Sequence, residues 1–254
     1  MGTNDGTETG AGVSTTRKTF EILEALKEEE GVTITELTRR TDLSKSTAYR
    51  HLATLTDMGY VIERDGEYYI GFRLVEISEQ ARTRKTGYTA AKRKVFELGQ
   101  ETDERAVFIV EEAYDAVYVY RHGSLTNTMI GKRRPLHCMA SGKVILAEWT
   151  DDEVDAFIDA RGLDAHTDHT ITDRDSLYAE LDRIRDRGYA TNNEEFMEGM
   201  GGVAVPVFTP DDELLGALAV FGPASRFTGE YVHDELPDRL RDKAGEIRVT
   251  LAYG

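Results

Sequence analysis

A single cysteine, Cys138, occurs in the 254 residues, so the chain cannot staple itself with a disulfide and a reducing compartment is expected. Long apolar runs are missing as well. None approaches the ~18 residues of a membrane-spanning helix, and the first residues carry no signal-peptide core, so a cytoplasmic chain with no membrane partner is expected. Positive charge is the third shortage. Forty-seven acids stand against thirty-one Lys and Arg, a formal net charge of −16, with Lys scarcer than Arg. Forty per cent hydrophobic residues are nevertheless enough to build a core in each of two domains.

What is present is organised around Thr33 to Tyr60. Thr33 and Glu36 have the spacing of a capping box, opening a short helix from about Ile34 to Thr41 whose Ile34 and Leu37 share a face. Asp42-Leu43-Ser44 breaks it, and Ser44 can cap a second helix, Lys45 to Met58, with Ala48, Leu52 and Leu55 as its buried stripe and Gly59 as its stop. Thr33, Thr35, Ser44, Lys45, Ser46, Thr47, Tyr49 and Arg50 are then the short donors and cations that can meet phosphates and base edges. Tyr60-Val61-Ile62, Asp65-Gly66 and Tyr68-Tyr69-Ile70 read as a hairpin with an Asp-Gly turn. A helix from Thr16 to Glu30, with Phe20, Leu23 and Leu26 on one face, completes a winged helix-turn-helix domain, and double-stranded DNA is the expected partner.

The charge balance conflicts with that expectation. From Ser14 to Ile70 there are eight Lys and Arg against eleven Asp and Glu, whereas DNA binders usually gain affinity by releasing counterions from phosphates. Molar salt removes the conflict: counterion release then yields little, the Debye length falls to about 3 Å, and surface acid keeps the chain soluble. A halophile's cytoplasm is therefore the expected source, with an ordinary acidic cytosolic protein as the alternative.

The rest of the chain divides as follows. Residues 1–13, rich in Gly, Thr and acid, are expected to be a disordered tail, followed by the DNA-binding domain at 14–72, a linker helix at 73–86 bearing Leu74, Ile77 and Ala81, and a second domain at 87–254. The linker is a natural place for two subunits to meet, because helix-turn-helix proteins usually read palindromic sites as dimers. In the second domain the pattern predicts a helix over Ala90 to Glu101 and a hairpin of Ala106–Val110 with Ala116–Tyr120. Helices over Ser141–Glu148, Asp151–Arg161 and Asp173–Arg187 follow. A second hairpin pairs Gly202–Phe208 with Leu214–Phe221, and a last helix over Tyr231–Leu251 is interrupted or delayed by Pro237. Hairpin, helices, hairpin is an α+β pattern, one antiparallel sheet with flanking helices.

Four blocks in order carry a resemblance over nearly the whole chain: Thr33 to Tyr60, Pro135 to Ala147 (PLHCMASGKVILA), Gly188 to Glu195 (GYATNNEE) with Gly199, and Val203 to Phe208 with Gly216 to Pro223. In these the chain resembles the IclR family of transcriptional regulators. The resemblance implies a winged helix, a linker helix, a GAF-like effector-binding domain, homodimers or dimers of dimers, and a small-molecule inducer that is often a carboxylate, such as an aromatic or sugar-derived acid of a catabolic pathway. It implies that the effector is lined here by Ala140 and Ser141, by Asn192, by Met200 and Gly202, and by Ala219 and Phe221; Met129 and Ile130 are expected to add an apolar wall. Independently, small residues opening a helix at Ala140-Ser141-Gly142 leave its amides accessible to an anion. A phosphate loop is not indicated, since Val144 follows Gly142-Lys143 and His137 stands where glycine is required.

No catalytic constellation, cofactor or metal is expected. His137 and Cys138, if on a strand, point to opposite faces, and His166, His169, Asp164 and Asp168 read as a solvated loop. Glu194-Glu195 reads as a loop over a pocket. The competing possibility is a metabolite-binding or catalytic GAF-like protein with a vestigial winged helix.

Overall fold

The computed structural model describes residues 12–123 and 130–253. The expected N-terminal tail therefore lies almost wholly outside the described residues, and so does Met129. The chain separates into two compact units, with the division between Ala81 and Arg82.

The first unit is a winged helix. Helix α1 (Ser14–Lys27) packs over α2 (Ile34–Arg40) and α3 (Lys45–Asp57), and strands β1 (Val32–Thr33), β2 (Val61–Arg64) and β3 (Glu67–Ile70) form an antiparallel sheet in the order β1-β3-β2. Asp65 and Gly66 both take positive φ, the left-handed pair that a two-residue hairpin turn demands. The core comprises Ile22, Leu26, Leu37, Ala48, Leu52, Leu55 and Val61. One expectation fails. Ile22 and Leu26, four apart, face that core, while Phe20 is 61% exposed, because one face of a 3.6-residue helix cannot bury both Phe20 and Ile22. Helix α4 (Arg73–Thr83) buries none of its residues.

The second unit is built on a six-stranded antiparallel sheet in the order β6-β5-β4-β9-β8-β7. Its strands are β4 (Arg105–Glu112), β5 (Asp115–His122), β6 (Arg133–Pro135), β7 (Ala190–Asn193), β8 (Met200–Phe208) and β9 (Leu214–Pro223). Side chains alternate along each strand, so the sheet offers two apolar faces. Ala106, Phe108, Val203, Val205, Leu218 and Val220 meet α5 (Thr86–Thr102) and α9 (Leu236–Tyr253). Val107, Ile109, Ala204, Ala217 and Ala219 meet α6 (Ala140–Ala147), α7 (Asp151–Arg161) and α8 (Arg174–Arg187). This second face is poor in bulk: alanines stand where the opposite face carries valine and leucine.

Both hairpins form, with the first turn tighter than expected. Ala113 and Tyr114 alone take positive φ between β4 and β5. The regular last helix is delayed to Leu236, one residue before Pro237. A wide turn over Tyr231–Glu235, closed by Leu236 N–H donating to the Tyr231 carbonyl, leads straight into α9. A proline at the second position of a helix has no amide to satisfy, so it is tolerated there.

Candidate functional site

In the first unit, the turn between α2 and α3 is held by local polar bonds. Thr33 and Glu36 form the capping box: the Glu36 carboxylate accepts from the Thr33 amide at 3.0 Å, and the Thr33 hydroxyl accepts from the Glu36 amide at 3.3 Å. Donation from the Thr33 hydroxyl at 2.7 Å, and from the Thr33 amide, holds the Glu36 carboxyl below its ordinary range. The Ser44 hydroxyl accepts from the Thr47 amide and contacts the hydroxyls of Ser46 and Thr47. Thr33, Ser44 and Thr47 thus spend their hydroxyls largely within the motif. Lys45, Ser46, Tyr49 and Arg50 are exposed on α3, and with Ile34, Glu63, Gly66 and Tyr68 they line a shallow concavity between this helix and the wing. Thr35 is exposed on the first turn of α2.

In the second unit, a cavity of about 130 Å³ lies on the bulk-poor face of the sheet. Gly202, Ala219 and Phe221 on β8 and β9, Asn192 on β7, Met200, and Ala140 and Ser141 at the start of α6 line it. Seven of the nine residues expected at an effector site are therefore brought together. Met129 lies outside the described residues, and Ile130 is 44% exposed and takes no part in the lining. The apolar wall comes instead from Val107, Ile109, Met139, Phe196 and Met197.

Sequence reasoning also missed the cavity's charge. Arg105, at the start of β4, and Arg134, on β6, both line it. Arg105 Nη1 approaches the Met200 sulfur at 3.8 Å, and the Arg134 guanidinium lies 5.0 Å from the centre of the Phe196 ring. Neither forms an ion pair with a carboxylate among the described residues. Nothing local marked Arg134 beforehand, because β6 is a three-residue strand too short to show a period, and Arg105 stands one residue before the apolar run that signals β4. The remaining polar groups are few. Asn192 Oδ1 accepts from the Glu195 amide, leaving its NH2 available, and burial pushes the Tyr118 phenol up to about 12, so it stays neutral. Helix α6 begins without a side-chain cap.

Beneath the cavity, Lys143 donates to both oxygens of Glu195 at 2.7 and 2.8 Å, and Glu180 stands 3.7 Å away. The loop carrying Glu194 and Glu195 is further held by Thr167 and Thr170, whose hydroxyls donate to the carbonyls of both residues. Glu194 and Glu195 are thus separate structural contacts, not an acid pair.

The segment before α6 corrects another expectation. Strand β6 ends at Pro135 and residues 136–139 form a turn, so His137 and Cys138 are not on a strand and do not diverge. Their ligating atoms, together with one from His166, all lie within 4.8 Å of one another. Burial holds the His137 imidazole below its ordinary range and pushes the Cys138 thiol up to about 12, aided by Glu195, so an unassisted thiolate is not on offer.

A winged helix followed in the chain by a GAF-like sheet domain with a cavity on one face of its sheet defines a DNA-binding regulator with a ligand-binding domain. Residues 80–249 match the family model described as Bacterial transcriptional regulator IclR C-terminal, and residues 15–65 match the IclR helix-turn-helix domain. The chain belongs to the IclR family of transcriptional regulators. It is 34% identical over 249 residues to the HTH-type transcriptional regulator KdgR of Escherichia coli, covering 95% of this chain and 94% of that one. It is 30% identical over 240 residues to the probable HTH-type transcriptional regulator ArcR of Halobacterium salinarum, covering 91% of each. Among solved structures, the IclR of Thermotoga maritima matches with a TM-score of 0.82 at 30% identity, covering 94% of this chain and 99% of that one. No helix among the described residues is long and apolar enough to cross a membrane.

Proposed function

We propose that the protein is a sequence-specific regulator of a catabolic pathway, released from or directed to a palindromic operator by a small organic acid bound in the cavity of the second unit. The observation that carries this reading is the pair Arg105 and Arg134. Two guanidiniums without carboxylate partners among the described residues, lining a small cavity with apolar walls, suit one carboxylate on an apolar or aromatic body. The uncapped amides of α6 add a favourable dipole for the same anion. Only Tyr118, Ser141 and Asn192 offer further neutral polar side chains in this lining, so an aromatic acid suits it better than a polyhydroxylated sugar acid.

On the DNA side, Lys45, Ser46, Tyr49 and Arg50 would enter the major groove from α3, with Thr33, Thr35, Ser44 and Thr47 setting the backbone around them. The exposed apolar side chains of Phe20, Phe72, Val75 and Ile77 favour closure of the first unit into a homodimer, or a dimer of dimers. The acidic surface and the relative from Halobacterium salinarum favour a salt-rich cytoplasm as the working medium. Titration calorimetry with a panel of benzoates and short-chain keto and sugar acids tests the ligand, paired with operator footprinting at matched salt. Heat of binding from a carboxylate that is lost in Arg105→Met and Arg134→Met is the expected result. Equal binding of the corresponding amides would overturn it.

A further inference from the structure

His137 is 3% exposed, and its two ring nitrogens have different fates. Nε2 lies 3.0 Å from the carbonyl oxygen of Asp164, and Nδ1 is buried with no hydrogen-bond partner among the described residues. A buried orphan nitrogen is costly unless something occupies its lone pair. Donation of one ring N–H to a backbone carbonyl fixes the tautomer in which the other nitrogen is a bare acceptor, the arrangement that accompanies metal-ligating histidines. The Cys138 sulfur and the His166 ring stand within ligand-set range of His137.

We propose that His137, Cys138 and His166 form a zinc site, separate from the anion cavity and independent of what that cavity binds. Two imidazoles and one thiolate are borderline-soft donors of the kind Zn²⁺ takes, and three protein ligands leave a fourth position for water. The second cavity of this unit, bordered by His137, His166, Asp164 and Arg161, opens towards the cluster and supplies that water's path. Around a tetrahedral zinc the ligand atoms stand about 3.3–3.8 Å apart. Closing to that separation requires the ligand atoms to draw in from within 4.8 Å of one another, and His166, the exposed member of the three, has the most freedom to adjust. On binding, the Cys138 proton leaves to solvent, and the metal–sulfur bond replaces the S–H bond.

The test uses full-length protein without a polyhistidine tag, titrated with Co²⁺ as a spectroscopic stand-in and then with Zn²⁺. One Co²⁺ per chain, with a thiolate-to-cobalt charge-transfer band displaced by Zn²⁺, is expected. Cys138 is the only cysteine in the sequence, so the band has a single possible source. Cys138→Ser should abolish the band. His166→Ala, at an exposed position that leaves the fold intact, should weaken Zn²⁺ binding at least tenfold in competition with a chromogenic chelator. Absence of the band in the unaltered protein, or Zn²⁺ affinity unchanged in His166→Ala, would overturn the proposal.

Discussion

Lys143 and Glu195 form a two-oxygen ion pair at 2.7 and 2.8 Å, between a lysine 2% exposed and a glutamate 8% exposed. The pair links a helix buried along its whole length to the loop that carries Glu194 and Phe196. Removing one partner strands the other charge out of water. Lys143→Met should therefore cost about 3–5 kcal/mol in chemical denaturation, and the double variant Lys143→Met with Glu195→Leu should recover much of that loss. A double variant no more stable than the single one would show that Glu195 finds adequate solvation alone.

Gly142 is the second position where the base of the cavity is intolerant. A Cβ there would meet the Leu136 carbonyl oxygen at 2.1 Å and the Leu136 Cα at 2.5 Å, both backbone atoms that cannot step aside. Gly142→Ala should lower stability by about 1–3 kcal/mol and loosen the turn that holds His137 and Cys138. Thermal melts compared with Gly245→Ala, where nothing lies within 4 Å, separate crowding from a general helix effect. A Gly142→Ala melting point at or above that of the control would contradict the close approach.

Arg50 is exposed on α3 beside Tyr49, which is 60% exposed. If it reaches a base edge, Arg50→Ala should weaken operator binding about ten- to a hundredfold in fluorescence anisotropy. The melting shift produced by the effector should stay unchanged. Loss of both responses together would argue against separate sites.

The first unit's acidity sets the salt behaviour. Eight Lys and Arg against eleven Asp and Glu between Ser14 and Ile70 leave few cations to displace counterions. A plot of log affinity against log KCl concentration should therefore be shallow, with a slope corresponding to about three phosphates or fewer. A steep slope would mean that the phosphate contacts are concentrated despite the net charge. Stability should rise with KCl into the molar range, and full folding in dilute buffer would count against salt adaptation.

The stretch from Thr33 to Ile70 was legible because its determinants are local: the capping box, the Ser44 cap and the Asp65-Gly66 turn each depend on residues within four positions. The hairpins and long helices were legible through their periods. Strands β1, β6 and β7 were not, being two to four residues long and made by their partners. The cavity was half legible. Residues in recurrent motifs, such as Ser141 and Asn192, could be placed, whereas Arg105 and Arg134 come to line one cavity only through the order of the sheet, which no local pattern records. His137 and Cys138 fall differently from the expected strand because residues 136–139 turn between β6 and α6 instead of extending the strand.

The alanines and glycine on one face of the sheet have a consequence for how ligand preference can change. The sheet side of the chamber is open because Gly202 and Ala219 stop at or before Cβ on paired strands. Its size and polarity are therefore adjustable one substituent at a time. Restoring a hydroxymethyl at 219 would offer a donor, and a branched side chain there would exclude a ring, with the pairing between β4, β9 and β8 left as it is. Selectivity in such a domain can drift among acids of different shape without the scaffold being rebuilt.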